Sequence, residues 1–316
     1  PFKVTVLDDR RYPTISFVAL GSTACNNEHD GQITVTATSA GFPAATLYNF
    51  DWTGNPAGMT ITDQMGVVSA PVFQSQALGG PLGERIGPGA YNITVTNTTN
   101  MCATNATVNV QKNTVPVEVI LTDSDPLTHC TVPDGMVEVE TMNVDGVGEV
   151  LGNFTFAWTG TGGPYAGPIV NNLSNGDYFV TATKTSATAP ASGCASSPFK
   201  VTVLDDRRYP TVSFATLGST ACNNEFDGQI TVNATSTGFG AGTLYNFVWT
   251  GNPGGAVQIT DQMGVATGAV FQSESLGGPV GERIGPGAYN ITVTNTVNQC
   301  PVNGTVSLQK NTVPVE

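Results

Sequence analysis

Six cysteines are the residues of this sequence whose chemistry is easiest to interpret, because cysteines either bind metals or form disulfides. They are Cys25, Cys102, Cys130, Cys194, Cys222 and Cys300. No Cys-x-x-Cys spacing occurs, and neither His29 nor His129 lies at a spacing typical of zinc ligands, which argues against a structural zinc site. An even number of cysteines spread along the chain is typical of disulfide bonds formed in an oxidising compartment.

A tandem repeat organises the chain that must position these cysteines. Residues 1–14 recur unchanged as residues 198–211, and the stretches that follow both copies also match. Three modules of two types, in the order A-B-A, align over one another, and we predict that they are a window on a longer array. The predicted bounds are 1–12 for the last strand and joint of a preceding B-type module, 13–115 for module A1, 116–209 for module B, 210–313 for module A2 and 314–316 for the start of a following B-type module.

Each module holds two cysteines, which favours one disulfide within each module. The first cysteine precedes the second predicted strand, and the second cysteine lies in or near the hairpin before the last strand. We therefore predict a bond at one end of each sandwich that ties two loops together. The predicted pairs are Cys25–Cys102, Cys130–Cys194 and Cys222–Cys300.

No catalytic set is common to the repeated modules. His29 of A1 is replaced by Phe226 in the second A copy, so a function shared by the two copies cannot depend on this histidine. Without a shared histidine, neither a Ser-His-Asp nor a Cys-His arrangement can be built. We predict that the protein is not an enzyme and has no catalytic or cofactor-binding residues.

Calcium is a weaker candidate ligand, and we predict no metal-binding residues. Asn26, Glu28, Asp30 and Gly31 resemble part of a calcium loop, repeated at Asn223, Glu225, Asp227 and Gly228, but the twelfth position is Ala37 instead of the glutamate that an EF-hand needs. A second candidate lies at the module joints, where acidic pairs occur. The joint residues are Asp8, Asp9, Arg10 and Arg11 in the first copy, Asp123 and Asp125 between A1 and B, and Asp205, Asp206, Arg207 and Arg208 in the second copy. The arginines can neutralise the neighbouring acids without a metal.

Alternating apolar and polar residues predict strands throughout. Ile33, Val35 and Ala37 alternate with polar residues, a period of two that indicates strands buried on one face. About seven such strands in about 100 residues are typical of an immunoglobulin-like β-sandwich. The fold class is therefore predicted as all-β, in tandem immunoglobulin-like modules. The predicted core residues, which recur once per module, are Trp52, Trp158, Trp249, Tyr91, Tyr178 and Tyr289.

Composition narrows the range of partners. Charged residues make up 11% of the chain and the formal net charge is −13, so a nucleic-acid backbone is not an expected partner. No apolar run is long enough to cross a membrane. Between Val6 and Thr14 there is no glycine or serine run, which predicts a short, stiff joint between modules.

The order of motifs resembles a known repeat family. The residues of the first module on which the resemblance depends are Cys25, Asp30, Gly31, Trp52, Gly54, Gly89, Tyr91, Val95, Asn97 and Cys102. Together they resemble the SprB-type repeat of giant surface adhesins in gliding Bacteroidota, with the weakest match in module B. The resemblance implies an immunoglobulin-like fold, extracellular export by the type IX system, and a role in adhesion or in filaments such as those of predatory members of that phylum.

Two functions follow as alternatives. In the first, the array is a structural stalk or filament of a secreted surface adhesin, whose modules bind their neighbours or copies of themselves in a homo-oligomeric filament. In the second, the A modules are multivalent binding units for glycans or for the surfaces of other cells. We favour the stalk, because no aromatic cluster or charged pocket stands out as a ligand site.

Overall fold

A computed structural model describes residues 2–185, 190–222, 226–255 and 257–311. The expected start of a following module at 314–316 and the calcium candidates Asn223 and Glu225 lie outside the described residues.

Strands account for nearly all the regular structure of the described chain. In module A1 they are β1 (Thr14–Leu20), β2 (Gln32–Thr38), β3 (Leu47–Gly54), β4 (Gln64–Val68), β5 (Val72–Gln74), β6 (Gly89–Asn97) and β7 (Ala103–Val110). In module B they are β8 (Val117–Asp125), β9 (Gly135–Val144), β10 (Val147–Glu149), β11 (Phe154–Thr159), β12 (Tyr165–Ala166), β13 (Ile169–Leu173), β14 (Gly176–Lys184) and β15 (Phe199–Val203). In module A2 they are β16 (Thr211–Leu217), β17 (Gln229–Thr235), β18 (Tyr245–Gly251), β19 (Gln262–Val265), β20 (Ala269–Gln272), β21 (Gly287–Asn295) and β22 (Pro301–Leu308). Single turns of 3₁₀ helix occupy Gln76–Leu78, Leu151–Asn153 and Glu274–Leu276.

Each A module is built from a three-stranded and a four-stranded antiparallel sheet. The sheet orders are β1-β2-β5 and β4-β3-β6-β7 in A1, and β16-β17-β20 and β19-β18-β21-β22 in A2. Module B has the order β10-β9-β13, with β8 also paired to β9, and the order β12-β11-β14-β15. The predicted all-β fold of tandem immunoglobulin-like sandwiches is confirmed.

The chain divides into two compact units, and the division runs through module B. The first unit comprises Pro1–Asp123, Glu138–Ile169 and Tyr178–Val201. The second comprises Ser124–Val137, Val170–Asp177 and Thr202–Glu316. The first unit therefore contains A1 with one part of B, and the second contains A2 with the other part of B.

The strand period of two places one face of each strand in a core. In β2, Ile33, Val35 and Ala37 are buried, whereas the residues between them are only half-buried. Trp158 is fully buried and its indole Nε1 donates to the Gly167 carbonyl at 2.9 Å. Trp52 is only half-buried but packs edge-on against Phe73, with ring centroids 5.1 Å apart. Trp249 packs in the same way against the Phe271 ring of A2.

In each A module a buried tyrosine forms hydrogen bonds to the backbone of the glycine four residues before it. Tyr91 is fully buried, and its hydroxyl donates to the Gly87 carbonyl and accepts from the Gly87 N–H, both at 2.9 Å. Tyr289 and Gly285 repeat the arrangement in A2. Burial raises the pKa of Tyr91 and of Tyr289 to about 12, so both hydroxyls stay protonated donors. Tyr178 of module B is equally buried.

Replacing Tyr91 with phenylalanine should destabilise A1. The Tyr91→Phe variant leaves the backbone N–H and carbonyl of Gly87 without their buried partner, at a cost of about 1–3 kcal/mol. Native-state hydrogen exchange on peptides from β2 and β6 measures the local free energy of opening. The control is Tyr165→Phe, which removes an exposed hydrogen bond to the Thr161 carbonyl and should change little. Equal effects of the two variants would contradict the expectation.

Candidate functional site: the disulfide-linked joints

The structure corrects the predicted cysteine pairing. Cys25 is bonded to Cys194 and Cys130 is bonded to Cys300, with Cα–Cα distances of 4.8 and 4.9 Å. Each bond joins the first cysteine of one module to the second cysteine of the next. The predicted pairs Cys25–Cys102, Cys130–Cys194 and Cys222–Cys300 are therefore wrong, and Cys102 and Cys222 are free thiols.

Strand direction explains why a bond within an A module is impossible. Ser22, three residues before Cys25, forms a bridge with Lys112, beyond the last residue of β7. Cys102 lies just before the first residue of the same strand. The eight residues of β7 at about 3.4 Å each separate the two ends by roughly 27 Å, whereas a disulfide needs Cα atoms within about 7 Å. In A2, Ser219 bridges Lys310 beyond β22, and Cys300 lies just before that strand.

Hydrogen bonds surround the disulfide in the first unit. The Cys25 N–H donates to the Ser192 carbonyl at 2.7 Å, and the Asn26 side-chain amide donates to the Ser192 hydroxyl at 2.9 Å. The Ala191 N–H donates to the Thr23 hydroxyl at 2.9 Å. Modules A1 and B are thus joined by a covalent bond and by polar contacts on both sides of it.

A buried aspartate holds the loop that carries Cys25. Asp30 is 3% exposed, and it accepts hydrogen bonds from the Ser22 hydroxyl at 2.8 Å and from the N–H groups of Thr23 and Ala24 at 2.6 and 3.0 Å. The Thr23 hydroxyl, which receives the Ala191 N–H, also donates to Asp30. Burial by itself would raise the pKa of Asp30, but the hydrogen bonds from Thr23, Ala24 and Ser22 outweigh it and leave the pKa below its ordinary value. We call this arrangement the aspartate cradle.

The aspartate cradle recurs in the other two modules. Asp134 accepts from the Thr128 N–H at 2.8 Å and from its hydroxyl at 2.6 Å. Asp227 accepts from the Ser219 hydroxyl at 2.8 Å and from the N–H groups of Thr220 and Ala221. Hydrogen bonds again lower both pKa values against the opposing effect of burial. In every module, therefore, the aspartate before the second strand accepts hydrogen bonds from the N–H and the hydroxyl of a threonine.

The disulfide in the second unit is supported by a buried asparagine. The Cys130 N–H donates to the Asn298 carbonyl at 2.9 Å, and the Asn298 side-chain amide donates to the Arg208 carbonyl at 2.9 Å. Asn298 is 3% exposed and Cys300 is fully buried. The joint peptide, the hairpin of A2 and the loop of B thus meet at one residue.

The predicted joint residues form ion pairs. Arg207 contacts Asp205 at 2.6 Å and Arg208 contacts Asp206 at 3.0 Å. In the first copy the pairs Arg10–Asp8 and Arg11–Asp9 measure 2.7 and 3.5 Å. The hydrogen bond from the guanidinium of Arg207 lowers the pKa of Asp205 to about 2. Because the side chains of these pairs are exposed or half-exposed, the pairs orient the joint more than they stabilise it.

One buried ion pair was not foreseen from the sequence. Lys184, at the end of β14, is 1% exposed and its Nζ contacts Glu149 at 2.7 Å. The backbone of Lys184 is hydrogen-bonded to Gly193 and Cys194, so the pair anchors the loop of B that carries Cys194. The hydrogen bond from Lys184 lowers the pKa of Glu149. The two residues lie far apart in sequence and carry no motif, so no local pattern could have revealed them.

Comparisons with known proteins show no family for this chain. The Sperm-tail PG-rich repeat model matches residues 284–314 alone, a short stretch of module A2. No curated protein matches.

The solved structures with similar chains include the FN1-FN3 domains of chicken CNTN1, at 11% identity over 95% of this chain and 100% of that chain, with a TM-score of 0.23. They also include domains 4–9 of the surface layer protein SbsC, at 14% identity over 95% and 48% of the two chains, with a TM-score of 0.23. A biofilm-associated protein BSP domain has 11% identity over 98% and 69%, with a TM-score of 0.20. TM-scores this low carry no argument about function. Among the described residues, no helix is long and apolar enough to cross a membrane.

Replacing Asp30 with asparagine should weaken the first joint and reduce its acid sensitivity. The pKa of Asp30 in the folded protein lies below the ordinary 3.8, so the carboxylate stabilises the fold fully above about pH 4, and this contribution is lost as the pH falls further. Asp30→Asn should cost about 1–3 kcal/mol at pH 7. The difference between the melting temperatures of the two proteins should be constant from pH 7 to about pH 4 and should narrow as the pH falls below that value. Asp145→Asn, at an exposed turn position, is the matched control; a constant gap at all pH values would refute the role of the carboxylate.

Calcium should not stabilise the joints. In the described part of the chain, no three His, Cys, Asp or Glu side chains are close enough together to hold a metal ion. The acids of both Asp-Asp pairs contact arginines instead. We expect the same melting temperature in EDTA and in excess calcium. A calcium-dependent rise that disappears in a variant with Asp205→Asn and Asp206→Asn would show that the joint binds the ion.

Proposed function

We propose that this chain is a structural segment of a long extracellular surface adhesin, in which the array carries tension between a cell and the surface it attaches to. The observation that supports this proposal is the placement of both disulfides. Each one joins neighbouring modules, so a pull along the chain meets a covalent bond at both joints. A bond within one module would protect only that module.

The two bonds together create a short covalent path along the array. The path runs from Cys25 across to Cys194, back along the chain to Cys130, and across to Cys300. Residues 130–194 of module B lie on this path, whereas residues 26–129 and 195–299 lie off it. Tension applied at the two ends is therefore borne by the path, and the segments off it are shielded even if their sandwiches open.

An extracellular location is part of the same proposal. Disulfides persist in oxidising surroundings such as the cell surface, and are rare where thiols are kept reduced. A net charge of −13 keeps such a surface soluble and discourages non-specific association.

A role in packing accounts for the histidine that differs between the copies. His29 lies against Gly87, at the place where Phe226 lies against Gly285 in A2. Burial lowers the pKa of His29, which favours the neutral ring. Because phenylalanine takes the place of this neutral ring in the second A copy, the ring has a packing role. This supports the proposal that the chain has no catalytic activity.

Single-molecule force spectroscopy tests the proposed mechanical role. Pulled between its ends, the oxidised chain should extend to roughly one third of the length of the reduced chain, at about 3.3–3.6 Å per residue, because the extension is limited by the covalent path. Cys25→Ser removes one bond and should lengthen the extension to about half of the reduced value.

The matched control is Cys102→Ser, which removes a cysteine outside the path and should leave the extension unchanged. Equal extensions for the oxidised and reduced chains would contradict the mechanical role.

A further inference from the structure

The two free thiols occupy the same positions as two bonded ones. Cys102 stands in the hairpin of A1 where Cys300 stands in A2, and Cys222 stands in the loop of A2 where Cys25 stands in A1. Cys300 and Cys25 are both bonded to cysteines of module B. The A module thus carries one joint for a B module at each of its two ends.

We propose that Cys102 and the segment Phe2–Leu7 form a joint for a further B-type module, and that the first cysteine of that module, equivalent to Cys130, closes a disulfide with Cys102. By the same rule Cys222 bonds the second cysteine, equivalent to Cys194, of another B-type module. The A and B modules then form a continuous series in which every joint is covalently closed.

The first joint is already built in A1. The Asn100 side-chain amide donates to the Arg11 carbonyl at 2.9 Å, as Asn298 does to Arg208 at 2.9 Å. The Cys102 N–H donates to the Asn100 side chain at 3.0 Å, against 3.2 Å for Cys300 and Asn298. The hairpin of A1 therefore has the same hydrogen bonds as the disulfide-bonded hairpin of A2. It lacks only the module that buries the cysteine: Cys102 is half-buried, whereas Cys300 is fully buried.

The sequence of the segment before A1 indicates that the partner of Cys102 is a B-type module. Residues 2–7 have the same sequence as residues 199–204, which include β15, the last strand of module B. Val201 and Val203 of β15 are 6% and 1% exposed, whereas the matching Val4 and Val6 are 84% and 90% exposed. These apolar side chains belong in a B-type sandwich. Together with Leu7, Val6 borders a cleft of about 740 Å³ that reaches Cys102.

The joint at the other end of A2 is also preformed. The aspartate cradle of Asp227 matches that of Asp30, including the bond from the Thr220 hydroxyl. In A1 the loop of B covers this cradle, and Asp30 is buried; in A2 Asp227 is only half-buried and Cys222 is exposed. A second copy of this chain cannot supply the cover, because both joints of its module B are occupied by its own A modules.

Disulfide formation requires an oxidant, which a small-molecule disulfide such as oxidised glutathione supplies. The Cys102 thiolate attacks the glutathione disulfide and releases one glutathione thiolate. The thiolate of the B cysteine then attacks the Cys102 sulfur of the mixed disulfide and releases the second. The two glutathione thiolates take up the two protons lost by the cysteines, so two cysteines are oxidised and one glutathione disulfide is reduced.

An extended chain tests the proposed bond. It consists of residues 1–197 followed by the whole of residues 1–316, so that the junction repeats the sequence found around residue 198. The first A1 carries Cys102→Ser, which leaves one Cys102, now preceded by a B module. After oxidation in glutathione buffer, iodoacetamide should label Cys222 alone, and a cross-linked peptide should join Cys102 to Cys130. Labelling of both Cys102 and the first Cys130 would overturn the proposal.

Two controls exclude misfolding and self-pairing. Cys130→Ser in the first B module should restore labelling of Cys102, while the Cys25–Cys194 cross-links, formed only in folded modules, persist. The chain of 316 residues treated in the same way should stay monomeric, with Cys102 and Cys222 both labelled; a covalent dimer through either residue would overturn the proposal in favour of a second copy as the partner. Neither outcome depends on the force response of the two existing bonds, so the proposed mechanical role is tested separately.

Discussion

The direction of two strands in a β-sandwich decides how this chain is cross-linked. One cysteine follows the first strand of a module and the other precedes its last strand. In the A modules these positions lie at opposite ends, separated by the full length of β7 or β22. A short covalent bond cannot span that distance. The cysteines therefore bond outward to neighbouring modules, and each joint becomes part of the covalent structure.

The hydrogen bonds around each cysteine prepare this bond. The aspartate cradle fixes the loop by bonds to a carboxylate, which are roughly twice as strong as bonds between neutral groups. The disulfide closes a loop of 169 residues in one unit and 170 in the other, worth about 5 kcal/mol in the chain-entropy model. The exposed Asp-Arg pairs are screened by solvent and contribute little to stability. The covalent bond thus stabilises the joint more than any other contact there, and the ion pairs orient the chain that passes through it.

Module B has a buried ion pair beside the loop that bonds to A1. Its loop before β15 carries Cys194 and is anchored by the buried pair of Lys184 and Glu149. Removing one partner of such a pair leaves a buried charge at a cost of about 3–5 kcal/mol. In the A modules the buried hydroxyls of Tyr91 and Tyr289 bond to the backbone of Gly87 and Gly285. The hydrogen bonds of a threonine to the aspartate before the second strand are common to all three modules.

The sequence by itself determined the repeat, the all-β fold and the strands whose apolar residues alternate, because these depend on local periodicity. It also pointed to the tyrosines that lie buried in each module, since each is flanked by such a pattern. The cysteine pairing and the ion pair of Lys184 with Glu149 were decided only by the tertiary structure. From the sequence alone, two cysteines per module are equally compatible with a bond within the module. Only the parallel course of the first and last strands, seen in the bridge of Ser22 with Lys112, shows that the two sulfurs of an A module lie at opposite ends.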